Sequence, residues 1–506
     1  MKLLVCARHF GYLRNFESAL IELARRDHEL HLAADRKERT GGLEMVKRLA
    51  ERFPGVSVGW TPERTNAGQA AFAGRIRLAQ DYLRYLDDSY DRAPKLRERA
   101  RERAPEWIQR AAGAPGRATR RRRAVLAAWL QLVEDALPIP TEYQEFLADR
   151  QPDVVMLTPL IDLGSPQLDM LNAARRSGLR SVLAVGSWDH LSSKALIRIQ
   201  PDMVTVWNRI QEQEAVSMHG LPPAIITVTG AQCYDQWFGR QPSRSREAFC
   251  SAMGLPANRP LVLYLCSSPF RNEPPEADFA VEWLTQLRRD ADAGLRDAAV
   301  LVRPHPGRLR EWAGHDLSPL GPVALHGANP IDDRAREDYF DALHHAAAVV
   351  GLNTSAFIEA GITGKPVLAI LAPEYWTSQE GTLHFRYLME AGGGLLRTSR
   401  SIEEHLTQLA AAIRLPDDPQ RNRPFVEAFA RPFGMDQPAT PRFADAIERL
   451  AAAPRPEPLL PRWPARVLGP FIRRGAGPRQ TAKKPPADRR GPESSGAAST
   501  DAEGEP

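Results

Sequence analysis

Three short polar residues, Asn353, Thr354 and Ser355, are followed one helical turn later by a lone carboxylate, Glu359. Residues of the first kind cap the opening N–H groups of a helix, and those donors, together with the helix dipole, favour an anion such as a phosphate or pyrophosphate. A carboxylate one turn further in can accept hydrogen bonds from the vicinal hydroxyls of a ribose. The same residues also fit an ordinary capped helix carrying a solvated glutamate. Their company favours the nucleotide. His305, in the run RPHPG (303–307), follows an apolar stretch and sits between two prolines that hold the chain extended, with Arg303 two residues before it. Another apolar stretch, 260–268, leads into Arg271 and Asn272. His9 follows the first apolar run of the chain, and an imidazole, titrating near neutrality, suits proton abstraction from a hydroxyl. His9 equally suits a place in the loop as a helix cap. The segment GSWDHLSSK adds Trp188, Asp189, His190 and Lys194: a ring able to stack on a sugar or base, and charges able to meet hydroxyls or phosphate.

These groups need elements to aim them. The stretch 349–370 reads as buried strand, polar turn, helix, Gly-Lys-Pro turn and second buried strand, which is a βαβ unit. Apolar runs at 3–7, 29–34, 152–160, 181–189, 203–208, 225–232, 260–268 and 298–303 alternate with spacers of helical periodicity. That alternation predicts parallel sheets covered by helices on both faces. Each polar group above then falls just past the carboxyl end of a strand, where open α/β sheets bind ligands.

With "RPHP" at 303–306 and "NTSAFIEAGITGKPVLAI" at 353–370, the chain resembles GT-B glycosyltransferases and their relatives, the nucleotide-sugar 2-epimerases and CDP-glycerol glycerophosphotransferases. The resemblance implies an α/β fold of two Rossmann-like doubly wound domains with a helical insertion in the first and a disordered C-terminal tail. It places the donor pyrophosphate on Thr354 and Ser355, with Asn353, Arg271 and Arg303 nearby, and the ribose on Glu359. His9 matches the place of the acceptor base, although the usual Gly-His pair is absent; His305 matches the basic-x-His-Pro element of the polymer-forming branch. Trp188, Asp189, His190 and Lys194 are candidate acceptor contacts.

The expected domains are 1–235, an acceptor domain with the insertion at about 62–150; 236–450, the donor domain ending in helices that cross back; and 451–506, a basic Pro/Gly-rich tail, largely disordered, with disorder setting in after Gly475. Arg117 and Arg120 to Arg123 stand directly before an apolar helix, a pattern compatible with an anionic membrane surface or with a solvated basic turn. LLPRWPARVLGPFIRR (459–474) has an interfacial composition, but its prolines are expected to break any helix.

An apolar fraction of 43% is ample for two cores without a disulfide or metal staple. The four cysteines, 6, 233, 250 and 266, lack zinc-site spacing and suit a reducing cytoplasm. No apolar run approaches the ~20 residues of a spanning helix, and the first residues read as a folded strand, so the expectation is a cytoplasmic protein, peripheral at most on the inner face of the cytoplasmic membrane. The net charge of +5 resides largely in the insertion and tail, and no nucleic-acid motif accompanies it. Three readings follow. The first is metal-independent transfer of a sugar from a nucleotide-sugar to a cell-envelope glycan or lipid-linked acceptor. The second is a glycerophosphotransferase using a CDP-alditol as co-substrate, or another polymer transferase. The third is a non-catalytic nucleotide-binding protein. None calls for a cofactor or a metal.

Overall fold

In the computed structural model, residues 1–35, 42–113, 117–160, 163–165, 167–268, 273–330 and 332–475 are described. The first half of the chain builds a seven-stranded sheet from β1 (Lys2–Ala7), β2 (Glu29–Ala34), β3 (Val56–Trp60), β4 (Val154–Thr158), β5 (Arg180–Ala184), β6 (Met203–Val206) and β7 (Ile226–Val228). Their spatial order is β3-β2-β1-β4-β5-β6-β7. The second half builds a six-stranded sheet from β8 (Leu261–Leu265), β9 (Ala299–Arg303), β10 (Val323–Leu325), β11 (Ala348–Gly351), β12 (Val367–Ile370) and β13 (Leu396–Ser399), ordered β10-β9-β8-β11-β12-β13. Neighbours pair in parallel, with Leu3 against Leu30 and Val154, and Leu263 against Leu301 and Val349.

Strands covered by helices on both faces must be apolar throughout rather than alternating. β4, β5, β8 and β9 accordingly are buried at every position. β3 is an edge strand that the apolar runs did not single out: its sequence VSVGW is only partly buried, and an edge position relaxes the demand for continuous apolarity.

Between β3 and β4 the described residues form the α-helices α3 (Ala67–Tyr85), α4 (Pro94–Arg103), α5 (Glu106–Ala112), α6 (Arg117–Ala136) and α7 (Thr141–Arg150), which follow α1 (Glu17–Arg25) and α2 (Gly42–Arg52) in the chain. Helices α3 to α6 form their own core around Tyr85, Tyr90, Leu96, Ile108, Leu130 and Val133. A buried ion cluster locks this module to the helix Gln167–Arg176 that follows β4: the Arg77 guanidinium donates to Glu134 at 2.8 Å and to Asp169 at 2.6 Å, with all three side chains almost wholly excluded from water. Such charges persist in a dry interior only when mutually satisfied.

Two expectations about basic segments are corrected. The arginines at 120–123 do not precede an apolar helix but form the first turns of α6 itself. The tail segment does not lose its helix to proline: Trp463–Gly475 is helical with Pro470 inside it. Pro464 is the helix's second residue, where the missing N–H has no intrahelical partner anyway. Pro470 forfeits one bond, but Ala465 and Gly469 are buried and Leu468 and Ile472 pack on the core of the helical module, which offsets that loss. Gly469 faces the end of α6, where a Cβ would make an ordinary contact with the Ala136 carbonyl oxygen at 3.4 Å. The expected disorder after Gly475 falls outside the described residues.

The last helix before that segment, Ala439–Ala452, returns to the first sheet and packs on α1, β4, β5 and β6, with Phe443 5.7 Å from Phe16. The chain therefore passes between the halves twice, and the two passages touch: the Ala231 N–H donates to the Ala430 carbonyl at 2.9 Å, and Arg431 pairs with Asp235 at 3.0 Å.

Candidate functional site

The carboxyl ends of the two sheets face each other across a cleft of about 820 Å³. From the first half it is lined by the loop after β1, with His9, Tyr12, Arg14 and Asn15, by the loop after β5, with Trp188, Asp189, His190 and Lys194, and by Cys233 and Tyr234 after β7. From the second half come Arg303 at the end of β9 and His305 just after it, Asn329 after β10, Tyr339, and Thr354, Ser355 and Glu359 after β11. A second chamber of about 360 Å³ shares Trp188, Asp189, Lys194, His305, Thr354 and Ser355 with the first and adds Asn353, Ser378, His384 and, from α4 of the insertion, Arg99.

Glu359 lies one turn into the helix Ala356–Ile362 and accepts a hydrogen bond from the Tyr339 hydroxyl. Tyr339 is itself covered by the Arg303 guanidinium, 4.7 Å from its ring centre, and Arg303 donates to the Ala328 carbonyl at 3.0 Å. Burial pushes the Glu359 carboxyl above its ordinary range, against the opposing pull of Tyr339, Arg14 and Arg303. The group is thus a poised acceptor rather than a solvated surface charge.

The capping expected of Asn353, Thr354 and Ser355 is only partly present. Ser355, at the N-cap position, makes no side-chain cap, and Thr354 Oγ1 accepts from the Ala356 N–H at 3.3 Å. Asn353 instead braces the turn, its N–H donating to Ser267 at 3.1 Å and its amide donating to the Ser378 carbonyl. Its side chain meets the second chamber, not the main cleft.

His305 Nδ1 accepts from the Gly307 N–H at 3.0 Å. In the neutral ring the proton is then on Nε2, which makes His305 a hydrogen-bond donor toward the cleft. Burial, then Arg308 and Arg14, lower its pKa, so the neutral form prevails near pH 7 and the cationic role is disfavoured. His9, in extended conformation at the start of the loop, packs on Tyr12 with ring centres 4.4 Å apart and the rings tilted by 36°. Tyr12 in turn lies 6.2 Å edge-on from His190.

In the β5 loop, Trp188 is packed edge-on against His384 at 4.8 Å, so its ring is held in place while still lining the cleft. Asp189 is held by Ser187 at 2.6 Å, Ser193 at 2.9 Å and Lys194 at 3.3 Å. Burial alone would raise its pKa; Lys194, His190 and His384 outweigh burial and hold the carboxylate well below its usual range. That makes Asp189 a weak base. Burial pushes His190 down to about 4, which leaves it neutral at pH 7. Arg271 lies outside the described residues.

Sequence reasoning did not single out Tyr339, Arg14, Asn329, Cys233 or Tyr234 as site residues. Arg14 donates to Asn329 Oδ1 at 3.0 Å and so bridges the two walls. Arg14 carried a signal, standing in the polar loop after the first strand; Tyr339 and Asn329 reach the cleft only through pairings 20 to 315 residues apart in sequence.

Two facing parallel α/β sheets with the cleft between their carboxyl ends superpose over nearly the whole chain on solved UDP-GlcNAc 2-epimerases and a glycosyltransferase. The UDP-GlcNAc 2-epimerase from Neisseria meningitidis bound to UDP-GlcNAc matches with a TM-score of 0.51 at 11% identity, covering 89% of this chain and 100% of that one. The chain has the GT-B fold. A glycosyltransferase from Rickettsia africae matches this GT-B chain at TM-score 0.50 and 11% identity, covering 90% and 99%; the UDP-GlcNAc 2-epimerase from Methanocaldococcus jannaschii matches at 0.51 and 11%, covering 89% and 100%. No family model and no curated protein matches the sequence. At these identities the likeness is one of fold, and the chemistry of this GT-B cleft has to be argued from its own residues.

Proposed function

We propose that the protein is a glycosyltransferase that moves a sugar from a nucleotide-sugar donor to a hydroxyl of a cell-envelope glycan or lipid-linked acceptor. The observation that carries this reading is that His9 and Glu359 line one cleft from opposite walls. Glu359, fixed by Tyr339, holds the donor ribose. The diphosphate lies against Thr354 and Ser355, with the His305 Nε2–H and the Arg14 guanidinium as further donors and Arg303 behind them. In the first half, His9 takes the proton of the acceptor hydroxyl, whose oxygen attacks the anomeric carbon as the bond from that carbon to the phosphate oxygen breaks. The negative charge that gathers on the leaving diphosphate meets these preplaced donors, which stabilises the transition state without calling for a metal ion. Trp188, Asp189, His190 and Lys194 shape the acceptor side.

A second reading, attack on the phosphorus of a CDP-alditol as in glycerophosphotransferases, is favoured by the anchored donor His305. One panel separates the two. Purified protein is heated with UDP-, GDP-, ADP- and dTDP-sugars and with CDP-glycerol, each in large excess over the protein. A true donor is expected to raise the melting temperature by a few degrees, the scale of about 2.7 kcal/mol at a hundredfold excess over Kd, and the rise should persist in EDTA. Stabilisation by CDP-glycerol alone would move the assignment to the second reading, and stabilisation by none would leave no donor site to assign.

A further inference from the structure

We propose that α6 and the C-terminal helix Trp463–Gly475 form a docking face for an anionic phospholipid surface. The C-terminal helix is apolar on two sides. One side, Ala465, Leu468, Gly469 and Ile472, packs inward. The other carries Trp463, Val467 and Phe471 in a line at intervals of four residues, 76%, 52% and 66% exposed. Leu459 and Leu460 in the lead-in and Val125 and Trp129 on the neighbouring α6 are exposed as well. Seven of the fourteen exposed large apolar side chains among the described residues lie on these two helices and the lead-in. Water does not reward such a stripe; the interface of a bilayer does, and Trp is suited to it.

Charge selects the partner. The C-terminal helix contains no acidic residue, and exposed Arg462, Arg466 and Arg473 flank its apolar line. In α6 no acidic residue occurs before Glu134, which is itself buried and paired with Arg77, while Arg121 and Arg122 are exposed and Arg120, exposed too, pairs with Asp88. Arginines beside an apolar stripe attract anionic lipid headgroups. The face is also coupled to the cleft. Leu96, Leu130, Val133, Leu468 and Ile472 belong to one packed core, and the helix that contributes Leu96 also contributes Arg99 to the second chamber. A bilayer on this face would therefore lie against the helical module that walls the site, an arrangement suited to an amphiphilic acceptor. The proposal does not depend on which group is transferred.

The test is sedimentation of the full chain with vesicles of phosphatidylcholine alone or mixed with phosphatidylglycerol at 3:1. Binding is expected to the mixed vesicles, weaker binding to the neutral ones, and a decline with added salt. Replacing Trp463, Val467 and Phe471 together by Ser should reduce partitioning by about a hundredfold or more, given the apolar area each residue withdraws from water. The nucleotide-induced rise in melting temperature should be unchanged in that variant, which separates a failure of this face from a failure of the donor site. Substituting Arg462, Arg466 and Arg473 by Gln, a second variant with the apolar stripe intact, should lose the preference for phosphatidylglycerol. Equal binding to both vesicle types, no binding by the folded wild type, or a dimer in light scattering that the Ser variant abolishes would each overturn the proposal, the last by giving the face to a second copy of the chain.

Discussion

At the scale of single residues, the cleft depends on Glu359 being held in place by Tyr339. Replacing it by Ala should weaken nucleotide binding by about 1 to 3 kcal/mol, the range for hydrogen bonds to a charged group, with the fold retained in circular dichroism. The pH dependence follows in sign. Its carboxyl is pushed upward in the folded protein, so acidification protonates it earlier than a free glutamate of pKa near 4.3. A protonated carboxyl accepts fewer hydrogen bonds from ribose hydroxyls. Affinity measured by calorimetry should therefore fall as pH drops, starting above the ordinary carboxylate range, and that limb should vanish in Glu359→Ala. His9→Ala, in contrast, should leave affinity alone and cut turnover by a factor of about 10² to 10⁴. Native turnover in that variant would remove His9 from the role of base; neutral, buried His190 and strongly ionised Asp189 are both poor substitutes. Of these residues, His305 and His9 were legible in the sequence because each lies two residues past the end of a strand, and Glu359 because it stands one helical turn beyond the polar residues that follow β11. Tyr339 was not, because only the tertiary packing of its helix against the Glu359 helix brings the hydroxyl to the carboxylate.

At the scale of elements, the strand that delivers the nucleotide turn is constrained at its last residue. A Cβ on Gly351 would lie 2.5 Å from the Leu265 carbonyl oxygen of β8 and 3.1 Å from the Phe357 ring. The first contact is with backbone and has nowhere to yield. Gly351→Ala should lower stability by about 1 to 3 kcal/mol as an overpacking change, read as an earlier midpoint in urea, and should disturb the turn at 353–355 as well. The βαβ units were readable because fully buried strands leave unbroken apolar runs and helices a different period. The helix at 463–475 was misread for an equally definite reason. Proline reports a local cost, whereas the packing of Leu468 and Ile472 on a distant part of the chain is invisible to any local rule.

For the whole molecule, buried imidazoles shape the response to acid. His405 is fully buried beside Trp283, with both ring nitrogens unpartnered, and burial depresses its pKa to about 3. The unfolded chain takes up that proton near pH 6.5, the folded chain only near pH 3, so between those values the unfolded state binds more protons and stability falls as pH falls. Glu214 and Glu276, raised by burial to about 7, act in the opposite sense, since the folded state protonates them first. The melting temperature of His405→Leu should accordingly be less sensitive to acid between pH 6.5 and pH 4 than that of the native chain. An unchanged slope would mean that the His405 site admits water or a proton in the native state.

The two passages of the chain between the halves run side by side, joined by the bond from Ala231 to Ala430 and the pair of Arg431 with Asp235, and a Cβ on Gly230 would lie 2.7 Å from the Ala439 Cβ. Two adjacent covalent crossings make the spine of a book. The two sheets with their helices are its covers. The bridge from Arg14 to Asn329 then works as a clasp spanning the opening between the two covers. Arg336 paired with Glu17 and the Tyr387 hydroxyl on Glu214 span the same two halves, so opening the covers has to release several such contacts together.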